Sequence, residues 1–231
     1  MGTEYKVVIF DMDGTFLDSR GGGAVAHEWA YEAFRKTLSN YGLNLSIAEI
    51  DKYFLAPLYS DGVQGVRTFC DRFELDCAEF WARREKDVIE AKIDAMQRGE
   101  IKPCKGSEAV IRYFSSKSCL AVVSDSQQAC VDYALEHFEL KPYFRIWYGR
   151  QSELESLDNR KPNPFYINKV LSELNMSNEE AVLVDDSPVG VLAARRAGID
   201  SVFIYRGEEK EGYNYKPTFL VRGIEDLGGI L

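Results

Sequence analysis

The sequence predicts an α/β protein, a parallel sheet flanked by helices with a helical block inserted after the first strand, and three observations predict it. The run Lys6-Val7-Val8-Ile9-Phe10 has strand preference and goes straight into Asp11-Met12-Asp13-Gly14-Thr15, which reads as a buried parallel strand ending in a turn. From Gly106 onward, short apolar runs alternate with helical patterns, the signature of parallel strands joined by helices. Between these parts, residues from about 19 to 103 carry helical periodicity and no convincing strand.

In chain order, Gly21-Gly22-Gly23 leave the backbone little intrinsic stiffness, so a hinge is expected there. Ala24 to Tyr41 places Ala26, Ala30, Ala33, Phe34, Leu38 and Tyr41 at helical spacing. Ser46 with Glu49 is a capping-box pattern opening a shorter helix through Ile50, Tyr53 and Phe54, and Val63 to Phe73 predicts a third. Asp76 followed by Glu79 starts a fourth, running through Trp81, Val88 and Met96 until Gly99 and Pro103 stop it. Further strands are expected at Cys119–Ser124, Ile146–Tyr148, Ala181–Asp185 and Ser201–Tyr205, with a sixth at Thr218–Val221. Helices are expected near 107–117, 127–138, 164–174 and 189–197, and Glu208–Glu211 reads as a solvated loop. The core is then 1–18 joined to 104–231, with 19–103 inserted.

Composition removes several functions. A net charge of −9 and a pI near 4.9 exclude a general binder of nucleic acid or of anionic membranes, which needs a basic face. Cys70, Cys77, Cys104, Cys119 and Cys130 are odd in number with no Cys-x-x-Cys spacing, which suits reduced structural thiols rather than a disulfide framework or a zinc site. No signal-like segment precedes the first strand and no stretch approaches transmembrane length, so the expected location is the cytoplasm.

The chemistry gathers at strand ends. Ligands of open α/β sheets bind beyond the carboxyl ends of the strands. Strand alternation sends Asp11 and Asp13 to one side, and two carboxylates at one point call for a cation or a proton. Ser124 ends a second buried strand, ahead of a helix whose free amides suit an anion. In Arg160-Lys161-Pro162-Asn163-Pro164, Asn163 caps a helix and Pro164 fits its first turn, which directs Lys161. Val182-Leu183-Val184 then delivers Asp185 and Asp186 to the same sheet edge.

Asp-x-Asp-Gly-Thr, a serine after the second strand, Lys-Pro before a helix and Asp-Asp after a later strand, in that order, resemble the haloacid dehalogenase-like hydrolases. The wording Lys161-Pro162-Asn163-Pro164 and Asp186-Ser187-Pro188-Val189-Gly190 is similar to the phosphoglycolate-phosphatase-like and β-phosphoglucomutase-like branch. The resemblance implies a Rossmann-like three-layer α/β/α core with strand order 3-2-1-4-5 and Asp11 on the central strand, plus an α-helical cap domain over 19–103. It further implies Mg²⁺, Asp11 as nucleophile towards phosphorus, and Asp13 as acid and then base. Asp11, the Asp13 backbone carbonyl and Asp186 are the implied metal ligands with Asp185 in support, and Ser124 and Lys161 the implied holders of the phosphoryl group.

Asp125 stands where relatives often have Asn and is counted with Ser124 and Lys161 among the substrate-binding residues, although its charge suits a side chain pointing away from the phosphate. Candidate cap contacts are Tyr59, Ser60, Asp61, Gln64 and Arg67, of which Gln64 and Arg67 are assigned to substrate binding. The expected activity is a Mg²⁺-dependent phosphatase for a small phosphorylated metabolite, working as a monomer or weak homodimer without nucleic acid or membrane. A β-phosphoglucomutase-like mutase and a non-catalytic binding protein stand as alternatives. Ungapped alignment puts Gly23 at the mutase's cap-hinge histidine, with His27 one helical turn beyond, while His137 reads as a helix-surface residue.

Overall fold

The computed structural model describes residues 5–205 and 216–231, so the Glu208–Glu211 cluster lies outside the described residues. The strands are β1 Val7–Phe10, β2 Leu17–Asp18, β3 Lys102–Pro103, β4 Cys119–Gln127, β5 Ile146–Arg150, β6 Ala181–Asp185, β7 Asp200–Ile204 and β8 Phe219–Val221. Six of them form one sheet in the order β5-β4-β1-β6-β7-β8, with every neighbouring pair parallel. Counted along that sheet's own strands, the order is the expected 3-2-1-4-5 with the sixth strand added at the edge.

The central strand is the one the sequence makes most apolar. Val7, Val8, Ile9 and Phe10 are at most 1% exposed, as a strand covered on both faces requires. Phe10 pairs with Val122 on one side and Val184 on the other. One residue further on, the register brings Asp11 level with Val123 and Asp185 at the carboxyl edge of the sheet.

Contacts divide the chain into two compact units: the described residues of Met1–Ser19, Lys102–Arg150 and Asn159–Leu231, and a second unit of Arg20–Ile101 with Gln151–Asp158. The second unit is helical: α1 Glu28–Ser39, α2 Ile47–Ile50, α3 Ala56–Asp61, α4 Val63–Arg72 and α5 Cys77–Gln97, with a π-helical turn at Asp51–Leu55. Its core is aromatic, with the Phe54 ring centroid 5.3 Å from Phe34, 5.1 Å from Phe69 and 5.7 Å from Phe80, all edge-on. The Ser46 and Glu49 capping box forms, and Asp76 caps α5 through the Glu79 amide. α1 starts four residues later than its apolar pattern, because His27 before it has φ 61°, outside right-handed helix.

Gln151–Asp158 is a difference from the sequence reading, which assigns it to the sheet core. The indole N–H of Trp81 donates to the Ser152 carbonyl at 2.8 Å, and Arg67 lies 3.6 Å from Glu155, so the segment groups with the helical unit. A second difference is the two-residue antiparallel pair of β2 with β3, where the chain leaves and re-enters the sheet unit.

In the sheet unit the helices are α6 Ser107–Ser115, α7 Gln128–His137, α8 Phe165–Leu174 and α9 Pro188–Ala197. Val7, Ile9, Val123 and Leu183 pack with Ile167 and Ala194 in a fully apolar layer. All five cysteines are free thiols, two of them buried, and His137 is an exposed residue at the end of α7. No described helix is long and apolar enough to cross a membrane.

Candidate active site

The turn after β1 is closed by one carbonyl. Met12 accepts the amides of Thr15, Phe16 and Leu17 at 3.3, 3.1 and 3.0 Å, and Gly14 takes φ +84°, a value side chains rarely adopt. A Cβ at Gly14 would also lie 2.1 Å from Asp186 Oδ2, so this turn and the end of β6 approach each other only across a glycine.

Around that turn the acids converge. Asp11, Asp185 and Asp186 each place a carboxylate oxygen within 4.8 Å of the others. Lys161 reaches into the group from the loop before α8, its Nζ donating to Asp11 Oδ1 and Asp185 Oδ2 at 2.6 Å each and to the Val123 carbonyl at 3.3 Å. Asp185 spends its other oxygen on the Ser187 amide at 2.7 Å. The Thr15 hydroxyl lies 3.4 Å from Asp11 Oδ2. Asn163 Oδ1 accepts the Phe165 amide at 3.0 Å, but Pro164 itself stands at the cap position and α8 begins at Phe165, one residue later than the sequence reading has it.

Charge in this site is out of balance. Burial pushes the Asp11 carboxyl well above the ordinary carboxylate range; the Lys161 charge opposes this, and Asp185 and Asp186 add to it. Burial also works against the Lys161 ammonium, but Asp11, Asp185 and Asp125 outweigh it and hold the group well above the usual lysine value. One ammonium therefore stands among several carboxylates in a dry setting. Three hard oxygen donors with an excess of negative charge fit a hard divalent cation such as Mg²⁺, which the chemistry of this donor set favours over softer metals.

The stretch after β4 differs from its expected form. The strand runs on to Gln127 with a register shift between Val123 and Gln127, so Ser124 lies inside an irregular strand end rather than beside the first amides of α7. Ser124 is 1% exposed, and its hydroxyl oxygen accepts the Ser126 amide at 3.1 Å. Asp125 Oδ1 accepts the backbone N–H of Lys161 at 3.1 Å, and burial pushes its carboxyl up against the opposing pull of Lys161. The Ser126 hydroxyl donates to Asp13 Oδ2 at 2.6 Å, so the Asp13 carboxylate stands outside the three-acid cluster. Sequence reasoning missed Ser126; two hydroxyl residues flanking an acid after a buried strand were the available signal.

Gln64 and Arg67 are exposed on α4 of the helical unit, beyond Gly62, which turns the chain at φ +56°, and Tyr59 is 73% exposed. His27 is exposed, with its ring 6.4 Å from that of Trp29.

A family model described as haloacid dehalogenase-like hydrolase matches residues 8–204. The chain belongs to the haloacid dehalogenase-like hydrolases. This hydrolase is 29% identical over 200 residues to a protein provisionally named pyrophosphatase PpaX, from Caldanaerobacter subterraneus subsp. tengcongensis, covering 85% of this chain and 80% of that one. It is 26% identical to the phosphoglycolate phosphatase of Aquifex aeolicus, over 89% and 87% of the two chains. Among solved structures it is similar in fold to CbbY from Rhodobacter sphaeroides in complex with phosphate, with TM-score 0.72, 22% identity, and 97% and 96% of the chains covered.

Proposed function

We propose that this hydrolase is a Mg²⁺-dependent phosphatase for small phosphorylated metabolites, working through an aspartyl-phosphate on Asp11. The observation that carries the reading is Lys161 Nζ at 2.6 Å from both Asp11 and Asp185, beside a third carboxylate at the carboxyl edge of the central strands. A carboxylate nucleophile approaches a phosphate only where cations screen both. The names of the relatives, a pyrophosphatase and a phosphoglycolate phosphatase, support the substrate class.

In this reading Asp11 attacks phosphorus as the ester P–O bond breaks, and Asp13 gives its proton to the departing oxygen. Asp13 then takes a proton from the water that attacks the acyl phosphate, releasing inorganic phosphate and restoring Asp11. Mg²⁺ bound by Asp11, the Asp13 backbone carbonyl and Asp186, with Asp185 in support, would screen the charge between nucleophile and phosphate. Lys161 holds the remaining negative charge, and Ser124, next to the Val123 carbonyl that accepts from Lys161, is assigned to the phosphoryl oxygens. Gln64 and Arg67 are assigned to the leaving group on the family's division between core and cap.

The test is a screen of about a hundred phosphate esters with and without Mg²⁺, scored by phosphate release in H₂¹⁸O. Metal-dependent turnover with solvent ¹⁸O in the phosphate is expected. Interconversion of sugar phosphates with phosphate release slower by orders of magnitude, abolished by His27→Ala, would replace the reading with a mutase.

A further inference from the structure

We propose that Ser126 is the positioning residue of the general acid: through its hydroxyl it fixes the Asp13 carboxylate in the orientation that protonates the leaving group. The proposal rests on Asp13 having that acid role. It starts from the 2.6 Å hydrogen bond from Ser126 Oγ to Asp13 Oδ2, which joins residues 113 apart in sequence, one at the end of β4 and one in the turn after β1.

A carboxylate rotates about two bonds, and a general acid is effective only when one oxygen lies on the line to its acceptor. Anchoring Oδ2 sets the plane of the group and with it the direction of the second oxygen. An anchor helps only if it is itself fixed, and Ser126 is. Its amide donates to the buried Ser124 hydroxyl at 3.1 Å, within the irregular end of β4. Its carbonyl is backed by Gly149 of β5, where an added Cβ would lie 2.8 Å from Ser126 O and 2.7 Å from the Gln128 Cα. Only a glycine lets β5 come that close, so the backbone carrying Ser126 has a wall behind it. A hydroxyl also suits the task chemically, because it donates to a carboxylate and accepts from a carboxylic acid, and so stays bonded in both forms.

The consequence is selective. Proton donation matters most for poor alkoxide leaving groups and little for aryl phosphates, whose phenolate departs unaided. Ser126→Ala is expected to lower kcat/KM on an alkyl phosphate about 10- to 100-fold, part of what a general acid supplies, while kcat/KM on p-nitrophenyl phosphate changes by less than about threefold; kcat/KM ends at departure of the leaving group and so leaves out the water step that Asp13 also serves. Ser126→Thr keeps the hydroxyl and is expected to restore most of the alkyl rate.

Steady-state kinetics of both variants and of Asp13→Asn on the two esters test this. Retained aryl turnover in Ser126→Ala certifies a folded enzyme. Equal losses on both esters, or no loss on the alkyl ester, would overturn the positioning role. If Asp13→Asn itself damages both esters equally, the acid assignment fails first; if it discriminates and Ser126→Ala does not, the role of Ser126 alone falls.

Discussion

Asp125 accepts the backbone N–H of Lys161 at 3.1 Å, so a residue two places from the end of the expected β4 apolar run holds the chain that carries the site's ammonium. Both partners are half-buried. Asp125→Ala leaves that amide without its partner, a loss of about 1–3 kcal/mol where no water replaces it. If the loop shifts by that amount, kcat/KM is expected to fall about 10- to 100-fold. Asp125→Asn keeps an accepting oxygen and removes one negative charge from an overcharged site, so it is expected to stay within about threefold of the wild type. Equal damage from the two substitutions, measured by kcat/KM, would assign the effect to charge instead of to the hydrogen bond.

Asp11 and Lys161 stand at the centre of the proposed chemistry and fail differently. Asp11→Asn keeps the shape of the side chain and removes the nucleophile, so no measurable kcat is expected while the thermal midpoint stays close to the wild type. Lys161→Ala takes the one ammonium away from Asp11 and Asp185, which it now bonds at 2.6 Å each. Its kcat/KM is expected to fall about 10²- to 10³-fold, the range found when a charge-stabilising donor is lost. Appreciable turnover by Asp11→Asn would sink the covalent route.

What the sequence made legible is what its local pattern encodes. Apolar runs ending in acids located Asp11, Asp185 and Asp186, and Asn163 before Pro164 located the loop of Lys161, because each signal lies within a few residues. The contacts of Asp125 and Ser126 stayed hidden for the opposite reason. Each is defined by a partner far along the chain, 36 residues away for Asp125 and 113 for Ser126, and the irregular end of β4 that aims them has no local signature. The same holds for Gln151–Asp158, whose grouping with the helical unit turns on Trp81, 71 residues earlier.

Acid should weaken the helical unit through Asp87. Burial alone would raise its carboxyl, but hydrogen bonds from Lys36 and Thr37 and the charges of Lys36 and Arg83 outweigh it and hold it below the ordinary value of 3.8. A carboxyl depressed in the folded state stabilises fully above its unfolded value, and that contribution is lost as pH falls through the lower folded one. The window is therefore below about pH 4. Asp87→Asn is expected to lower stability at pH 7 by about 1–2 kcal/mol. Its deficit against the wild type should shrink at pH 3, where the wild type has begun to protonate; thermal midpoints at the two pH values would show it, and a deficit constant with pH would remove Asp87 as the cause.

The last prediction concerns the metal and uses a residue with no side chain. Gly14 takes φ +84°, and a Cβ there would stand 2.1 Å from Asp186 Oδ2. In Gly14→Ala the new methyl costs about 1–2 kcal/mol in backbone strain. It also drives the Asp186 carboxylate away from Asp11 and Asp185, whose oxygens now lie within 4.8 Å of its own. A cation held by these acids would lose one well-placed donor. Mg²⁺ titrated into the protein by calorimetry, without substrate, is expected to bind at least about 10-fold more weakly to Gly14→Ala, the scale of loss seen when the orientation of a ligand is disturbed. Asp186→Asn, which leaves Gly14 and its turn intact, should weaken binding at least as much. An unchanged Mg²⁺ affinity in both variants would mean that the cation is not held by Asp186, and the ligand set would have to be drawn without it.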